Sequence, residues 1–559
     1  MFPTNATSFS QLFSGNQITV YVTLAVANGI LLFFASLKFI LVLQQGGYRY
    51  ERYFKWLKNK ETPYRSRLML LCLLGFLFFC VLNMCFAPLI GNNAVTSYIG
   101  FISYFLFTIL YINSESAVNA KVPLKKTKRL VRLAVTYCLL LSVLSFGLII
   151  LLNYFAFLIG DSVAALLRFS VICFMPFLIP YILFVAYCIN EPFEWTVRTH
   201  YVKKTTSKLE NADLIKIGIT GSFAKTSVKE ILKTILSQKY RVLATPSSYN
   251  TPLGISLTVK QLDSSHDVFI AEMGARSKGD IKELARIVKP SYGVLTGVNN
   301  QHLETFKTIE NTKDTKFELF ENLSENGVGF FSSDNDNSIE LFGRMNGEKY
   351  LAGTAGENNL VTATDIKTDR NGTKFTLNIK GEKSVDCSTV LLGKHSISNI
   401  CLAAAVAYKI GMTPDEISEG INRISSVGHR LELVRNNKKI VIIDDSYNSN
   451  VSGVDAAMEV LDLFDGRKIV LTPGLVELGK IENVANLEFG KTLAAHADIV
   501  IIIGKHNAEM LINGLLDGGM ERENIIFART LKKGNEELNA IMKEGDVVLF
   551  ENDLPDNYN

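Results

Sequence analysis

The run Ile217-Gly-Ile-Thr-Gly-Ser-Phe-Ala-Lys-Thr-Ser-Val-Lys-Glu230 puts a lysine and two hydroxyls directly after a small-residue turn. An apolar stretch, Leu214–Thr220, leads into the turn, and a helix-like run, Val228–Leu236, leads out of it. A strand, turn and helix in this order gather backbone N–H groups, a helix N-terminus and a cation at one point, which is how a nucleotide's phosphates are held. The expected ligand is ATP or GTP. The general phosphate-loop pattern G-x-x-x-x-G-K-[ST] would have glycines where Ile219 and Ala224 stand, so this stretch alone also fits an ordinary strand–turn–helix.

Downstream residues add to it. Glu272 directly follows the apolar run Val268–Ala271, and Asn299-Asn-Gln-His-Leu-Glu304 follows a run ending at Val298, with Lys316 and Glu318 on the next helical stretch. A carboxylate and an imidazole at neighbouring strand ends suit a shared divalent cation that bridges phosphates. Taken singly, each also reads as a polar loop residue.

The elements that must position these residues alternate. Arg241–Ala244, Asp267–Ala271, Tyr292–Val298 and Gly327–Phe331 read as strands, and Lys282–Val288 and Thr312–Leu323 as helices. That alternation predicts a mainly parallel α/β sheet over 212–430, with active groups at the carboxyl ends of its strands. Between about 350 and 392 the pattern becomes an antiparallel flap, with Asn371-Gly372 as its hairpin turn. Helices are expected over Ser396–Ile410 and from Pro414. Over 431–559, Ile440–Ile443, Ile469–Leu471, Ile499–Ile503 and Val547–Phe550 alternate with helical runs, predicting a second, smaller doubly wound domain. Asp445, Tyr447, Asn448 and Asn450 fall just after its first strand. The segment Asn552-Asp-Leu-Pro-Asp-Asn557 reads only as an acidic tail.

Residues 1–200 are different in kind. Ile18–Leu43, Leu68–Ile90, Val95–Ile112, Leu130–Ile159 and Val163–Ile189 are apolar runs of the length, about 20 residues, that crosses a bilayer. The connections after the first and third runs carry Arg49, Arg52, Lys55, Lys58, Lys60, Arg65 and Arg67, then Lys121, Lys125, Lys126, Lys128 and Arg129. The alternate connections carry no Lys or Arg. The positive-inside rule then places the N-terminus outside and the chain after the fifth run in the cytoplasm. The expectation is a five-helix transmembrane bundle, a multi-pass protein of a bacterial inner membrane, whose interfacial belt of Phe193, Trp195, Arg198, Tyr201, Lys203 and Lys204 leads by a short linker to two α/β domains. The 559 residues with 48% hydrophobic content fit that division. A net charge of +4 argues against a nucleic-acid partner, and the eight cysteines show no zinc or disulfide spacing.

The motifs occur in an order that resembles the Mur ligase family. They are Thr220-Gly-Ser-Phe-Ala-Lys-Thr-Ser227, Tyr249-Asn-Thr-Pro-Leu-Gly-Ile255, Glu272-Met-Gly-Ala275, His302-Leu-Glu304, Gly393-Lys-His-Ser-Ile-Ser-Asn399 and Asp444-Asp-Ser-Tyr-Asn-Ser-Asn450. The resemblance covers about 212–559 and implies ATP and Mg2+ as cofactors. It implies that Gly221, Ser222, Lys225, Thr226 and Ser227 cradle phosphates, and that Thr226, Glu272, His302 and Lys316 form the metal set, Lys316 as a carbamate. Lys225, His302 and Lys316 would then carry the catalytic roles. Asn399 would face adenine, and Arg430, Asp445, Tyr447 and Asn448 the rest of the nucleotide. Ala224 departs from the family's glycine, and alanine fits there only where the backbone is not left-handed.

The implied activity is ATP-dependent amide-bond formation, joining an amino acid or short peptide to a carboxylate through an acyl phosphate. Because the apolar runs stand where the family has its UDP-substrate domain, a lipid-linked cell-envelope acceptor is the first expectation. Addition of D-Ala-D-Ala to UDP-MurNAc-tripeptide is the alternative. A non-catalytic ATP-binding scaffold and a transport ATPase are rivals from other classes, and the sequence does not bear on oligomeric state.

Overall fold

A computed structural model describes residues 15–58, 64–90, 93–114, 123–159, 174–246, 249–300, 303–434, 439–446 and 451–552. The chain divides into two compact units, Met1–Val197 and Arg198–Asn559.

The first unit is helical. Its helices are Gly15–Ala35, Leu37–Gln45, Tyr50–Lys58, Tyr64–Ile90, Asn93–Ser114 and Lys128–Ile159, followed by the start of Ile179–Glu210. Among the described residues three stretches are long and apolar enough to cross a membrane: Ile18–Ala35, Lys128–Tyr154 and Met175–Glu210. Arg67–Leu82 and Ile102–Asn113 are shorter apolar helices. The first part of the expected fifth run, 163–173, lies outside the described residues. Helix Tyr50–Lys58 buries Tyr53 and Leu57 and exposes Lys55 and Lys58, which makes it amphipathic rather than spanning. Several polar groups inside the bundle are paired, as apolar surroundings favour. Asn28 Nδ2 donates to Ser145 Oγ at 3.0 Å, Tyr104 OH donates to Asn28 Oδ1 at 2.5 Å, and Tyr137 OH donates to the Ile179 carbonyl at 3.2 Å. The belt Phe193–Lys204 is helical, lying within helix Ile179–Glu210 with Pro192 also inside it, and β1 begins at Ile215.

The second unit holds two sheets. The first has nine strands: β1 Ile215–Thr220, β2 Val242–Ala244, β3 Val268–Glu272, β4 Tyr292–Leu295, β5 Val328–Ser332, β6 Lys349–Gly353, β7 Val361–Asp369, β8 Gly372–Ile379 and β9 Val385–Thr389. Their order is β2-β3-β1-β4-β5-β6-β7-β8-β9, parallel as far as β7 and antiparallel for the last two pairings. The expected flap therefore continues the main sheet as its edge. The β7–β8 turn is Arg370-Asn371, one residue earlier than expected, because Asp369 pairs with Gly372.

Apolar alternation along β1 buries Ile217 and Ile219 in one core with Val228, Ile231, Leu232 and Ile235 of helix Lys225–Leu236. Helix Lys394–Lys409 seals that core with the unbroken run Ala403–Ala407, whose small side chains allow close packing. Helix Asp280–Val288 covers the other face through Ile281, Leu284 and Val288.

The second sheet has six strands: β10 Glu432–Val434, β11 Val441–Asp445, β12 Lys468–Thr472, β13 Ile499–Ile503, β14 Ile525–Ala528 and β15 Val547–Glu551. Its order is β10-β11-β15-β12-β13-β14, parallel except for β10. Strands β10 and β14 were not among the runs read from the apolar pattern.

Candidate phosphate and metal site

β1 lies between β3 and β4, so the loop leaving its carboxyl end opens where the chain's strand order reverses. The loop is pinned from β4's side. Ser222 N donates to the Gly297 carbonyl at 2.8 Å, and Thr296 Oγ1 donates to the Phe223 carbonyl. A Cβ on Gly221, whose φ is +154°, would run into the Thr296 hydroxyl, so the close approach of these strand ends requires glycine.

Helix Lys225–Leu236 begins with no side-chain cap, because its N-cap is Ala224. The first-turn N–H groups are thus left for an anion. Ala224 has φ 57° and ψ 1°, the left-handed region. The condition under which alanine would fit without strain is not met, and the residue carries a cost of about 1–2 kcal/mol that glycine would not. Lys225 folds back over the loop, donating to the Gly221 carbonyl at 2.8 Å and the Ser222 carbonyl at 3.2 Å. Burial pushes its ammonium down to about 8, against the pull of Glu272 and with a further push from Arg430.

Glu272 ends β3 and is 2% exposed. Its Oε2 accepts from Thr226 Oγ1 at 2.9 Å and from Lys229 Nζ at 3.5 Å, and its Oε1 accepts from Asn250 Nδ2 at 3.2 Å. Its backbone N–H donates to Thr245 Oγ1 at 3.0 Å, just past β2. A hydroxyl and a carboxylate side by side are the hard oxygen donors a magnesium ion takes in small number. Among the described residues there is no group of three or more His, Cys, Asp or Glu that could hold a metal ion.

Lys316, on helix Ile309–Glu321, is 2% exposed and lies 5.9 Å above the Phe306 ring. Burial first, then the charge of Lys225, hold its amine well below the usual lysine range. Glu318 on the same helix is structural: it accepts from Gly279 N at 2.7 Å and Lys282 N at 3.0 Å, capping helix Asp280–Val288.

The second sheet supplies Arg430 and Asp445. Asp445 ends β11, accepts from Leu431 N at 3.2 Å, and is pushed up to about 6 by burial, opposed by Arg430. The charge of Arg430 acts on both Asp445 and Lys225. Ser227 is half-buried in the helix's first turn, and Asn399 half-buried on the second turn of Lys394–Lys409. His302, Tyr447 and Asn448 lie outside the described residues.

Sequence reasoning assigned no role to Lys229, Asn250, Thr245 or Thr296. Lys229 was findable, because it stands three residues after Thr226 on the same helix face. The other three are polar residues at strand ends and loops, and only strand order makes them neighbours.

Residues 219–407 match the Mur ligase middle domain, and residues 429–551 match the Mur ligase glutamate ligase domain. The chain is 31% identical over 293 residues to the UDP-N-acetylmuramoyl-tripeptide–D-alanyl-D-alanine ligase of Escherichia coli K12, covering 52% of this chain and 65% of that protein. It is 28% identical over 337 residues to the Bacillus subtilis ligase of the same name, covering 60% and 72%. The chain thus spans about two-thirds of the length of these relatives. Among solved structures, MurF ligase from Thermotoga maritima in complex with ADP is 26% identical with a TM-score of 0.57, covering 64% of this chain and 80% of that one. MurF from Acinetobacter baumannii, at 24% identity and a TM-score of 0.58 over 64% and 77%, shares the fold.

Ala224→Gly relieves the left-handed strain. The chain-entropy loss on adding glycine, about 0.4–1 kcal/mol, is smaller than the strain removed, about 1–2 kcal/mol. The thermal midpoint of the purified protein is expected to rise slightly; a clear fall contradicts the strain.

Proposed function

Because this chain belongs to the Mur ligase family, we propose that it is an ATP-dependent, ADP-forming carboxylate–amine ligase. The observation that carries the reading is Thr226 on Glu272 at the strand-end loop beside Lys225, whose amine also feels the charge of Arg430.

The uncapped N–H groups and Lys225 hold the β- and γ-phosphates of ATP, and Asn399, Arg430, Asp445, Tyr447 and Asn448 hold the nucleoside side. Thr226, Glu272 and His302 are the residues that hold Mg2+, which neutralises phosphate charge when bound. A substrate carboxylate oxygen attacks the γ-phosphorus and ADP leaves, giving an acyl phosphate. An amine then attacks the acyl carbon, a proton departs, and phosphate is expelled. Lys225 balances the charge that develops on the transferring group. Lys316, a buried amine held well below the usual lysine range, would add to CO2 and lose a proton to become a carbamate, an anion that would suit a bound cation.

The relatives' names support a dipeptide donor, D-Ala-D-Ala, and the acceptor UDP-MurNAc-tripeptide. A second reading has a lipid-linked cell-envelope acceptor, and the observation that favours it is the unit of apolar helices over Met1–Val197. In both readings the helices sit in a bacterial inner membrane, in five passes, with the α/β part in the cytoplasm.

Phosphate release by detergent-purified protein tests the reaction. Release is expected only with ATP, Mg2+, an amine and a carboxylate acceptor together, and to drop by at least about 100-fold in Lys225→Ala. Amine-independent hydrolysis supports a transporter instead, and UDP-MurNAc-tripeptide against lipid extract separates the two acceptors.

Lys225 also sets a pH dependence. The free protein loses this proton near pH 8, while bound phosphates favour the charged form. ADP affinity is therefore full below pH 8 and falls by up to about tenfold per unit above it. Calorimetric titration from pH 7 to 9.5 reads this, and Lys225→Met is expected to flatten the profile.

For Lys316, a carbamate resonance with 13C-labelled bicarbonate is expected in the wild type and absent in Lys316→Ala. The same spectrum from both proteins rules the carbamate out.

A further inference from the structure

Lys229 is 0% exposed, a lysine wholly inside a helix–sheet interface. Its ammonium lies 3.5 Å from Glu272 Oε2 and 3.2 Å from Glu230 Oε1. A buried ammonium is costly unless a carboxylate answers it, and the buried carboxylate chosen here is the one that faces the phosphate loop. The neighbouring positions Val228, Ile231 and Leu232 are apolar and equally buried, so packing alone does not require a cation at 229.

The consequence is a charge balance. With Thr226 and Lys229 on Oε2 and Asn250 on Oε1, both oxygens of Glu272 are engaged. Lys229 already neutralises the carboxylate, and Lys225 stands close enough to feel it. A free divalent cation gains little there, because it must displace a resident charge of its own sign. The phosphates of a nucleotide bring several negative charges and reverse that balance. Glu230, whose side chain is 36% exposed, gives Lys229 a second carboxylate to keep when Glu272 turns to a metal.

We propose that Lys229 is a positioning residue that holds Glu272 as its internal counter-charge and makes divalent-metal binding conditional on nucleotide. The proposal rests on the metal–nucleotide reading of the site given above.

The test uses the full chain in detergent, with Mn2+ as a spectroscopic probe read by electron paramagnetic resonance, with and without ADP. Wild type is expected to bind Mn2+ at least about tenfold more tightly with ADP than without it. Lys229→Gln removes the charge and keeps a donor. Its nucleotide-free Mn2+ affinity is expected to rise about tenfold, with the ADP coupling reduced by the same factor. Glu230→Gln deprives Lys229 of its second acceptor. Mn2+ affinity in the presence of ADP is then expected to fall about threefold, while nucleotide-free binding stays weak.

Unchanged nucleotide-free affinity in a folded Lys229→Gln protein overturns the proposal, since a merely structural lysine would alter the melting temperature and not this coupling. If Lys229→Gln does not fold, the half-exposed Glu230→Gln decides, and unchanged ADP-dependent affinity overturns it. Wild type that binds no Mn2+ even with ADP removes the underlying reading, and the proposal with it.

Discussion

A single buried carboxylate ties the site together. Glu272 collects a hydroxyl, an amide and an ammonium from three directions, while its own backbone N–H is held by Thr245 beyond the next strand. Each donor arrives from a different part of the chain: Thr226 and Lys229 from the helix after β1, Asn250 from the loop before helix Pro252–Val259. Loss of the carboxylate would cost most at Lys229, the one wholly buried donor, where an unanswered ammonium costs more than the about 1–3 kcal/mol of an ordinary unsatisfied group. The phosphate loop is therefore positioned from outside as much as by its own sequence.

The second sheet adds what the first lacks. β11 ends in Asp444 and Asp445, and Arg430 precedes β10, so the polar groups of this half also sit at strand ends. Its parallel core of β11, β15, β12, β13 and β14 is apolar on both faces, and chemistry is confined to the rim. The arrangement suits a two-substrate reaction, because each half can carry one reactant and a shared nucleotide can lie between.

Much of this was legible in the chain. The alternation of apolar runs and helical periods placed β1, β3, β4 and β5 to within a few residues, and Lys225, Thr226 and Glu272 were recognisable from their places after strands. What was not legible has physical causes. The left-handed angle at Ala224 comes from how the loop is pinned to Gly297 and Thr296, which are neighbours only through strand pairing. The flap at β7–β9 reads as a separate hairpin in sequence, since the pairing of β6 with β7 that joins it to the sheet spans only two residue pairs. The belt Phe193–Lys204 was read from its aromatic and basic residues as an approach to a linker, and these residues are of middling helix propensity, yet the helix continues through them to Glu210.

Helix Lys394–Lys409 and its successor close the core around the phosphate-loop helix from far along the chain. Tyr240 bonds the Ile410 carbonyl across 170 residues, and Lys239 reaches Glu416 across 177. During synthesis the apolar face of Lys225–Leu236, though it can meet β1 and β3 early, must therefore wait for its last cover until the chain has grown past Pro414. At about 5–20 residues per second that interval is on the order of ten seconds or more. For that time the core around Ile231, Leu232 and Ile235 lacks one of its walls, and the gap is open to whatever chaperone or neighbouring chain is at hand.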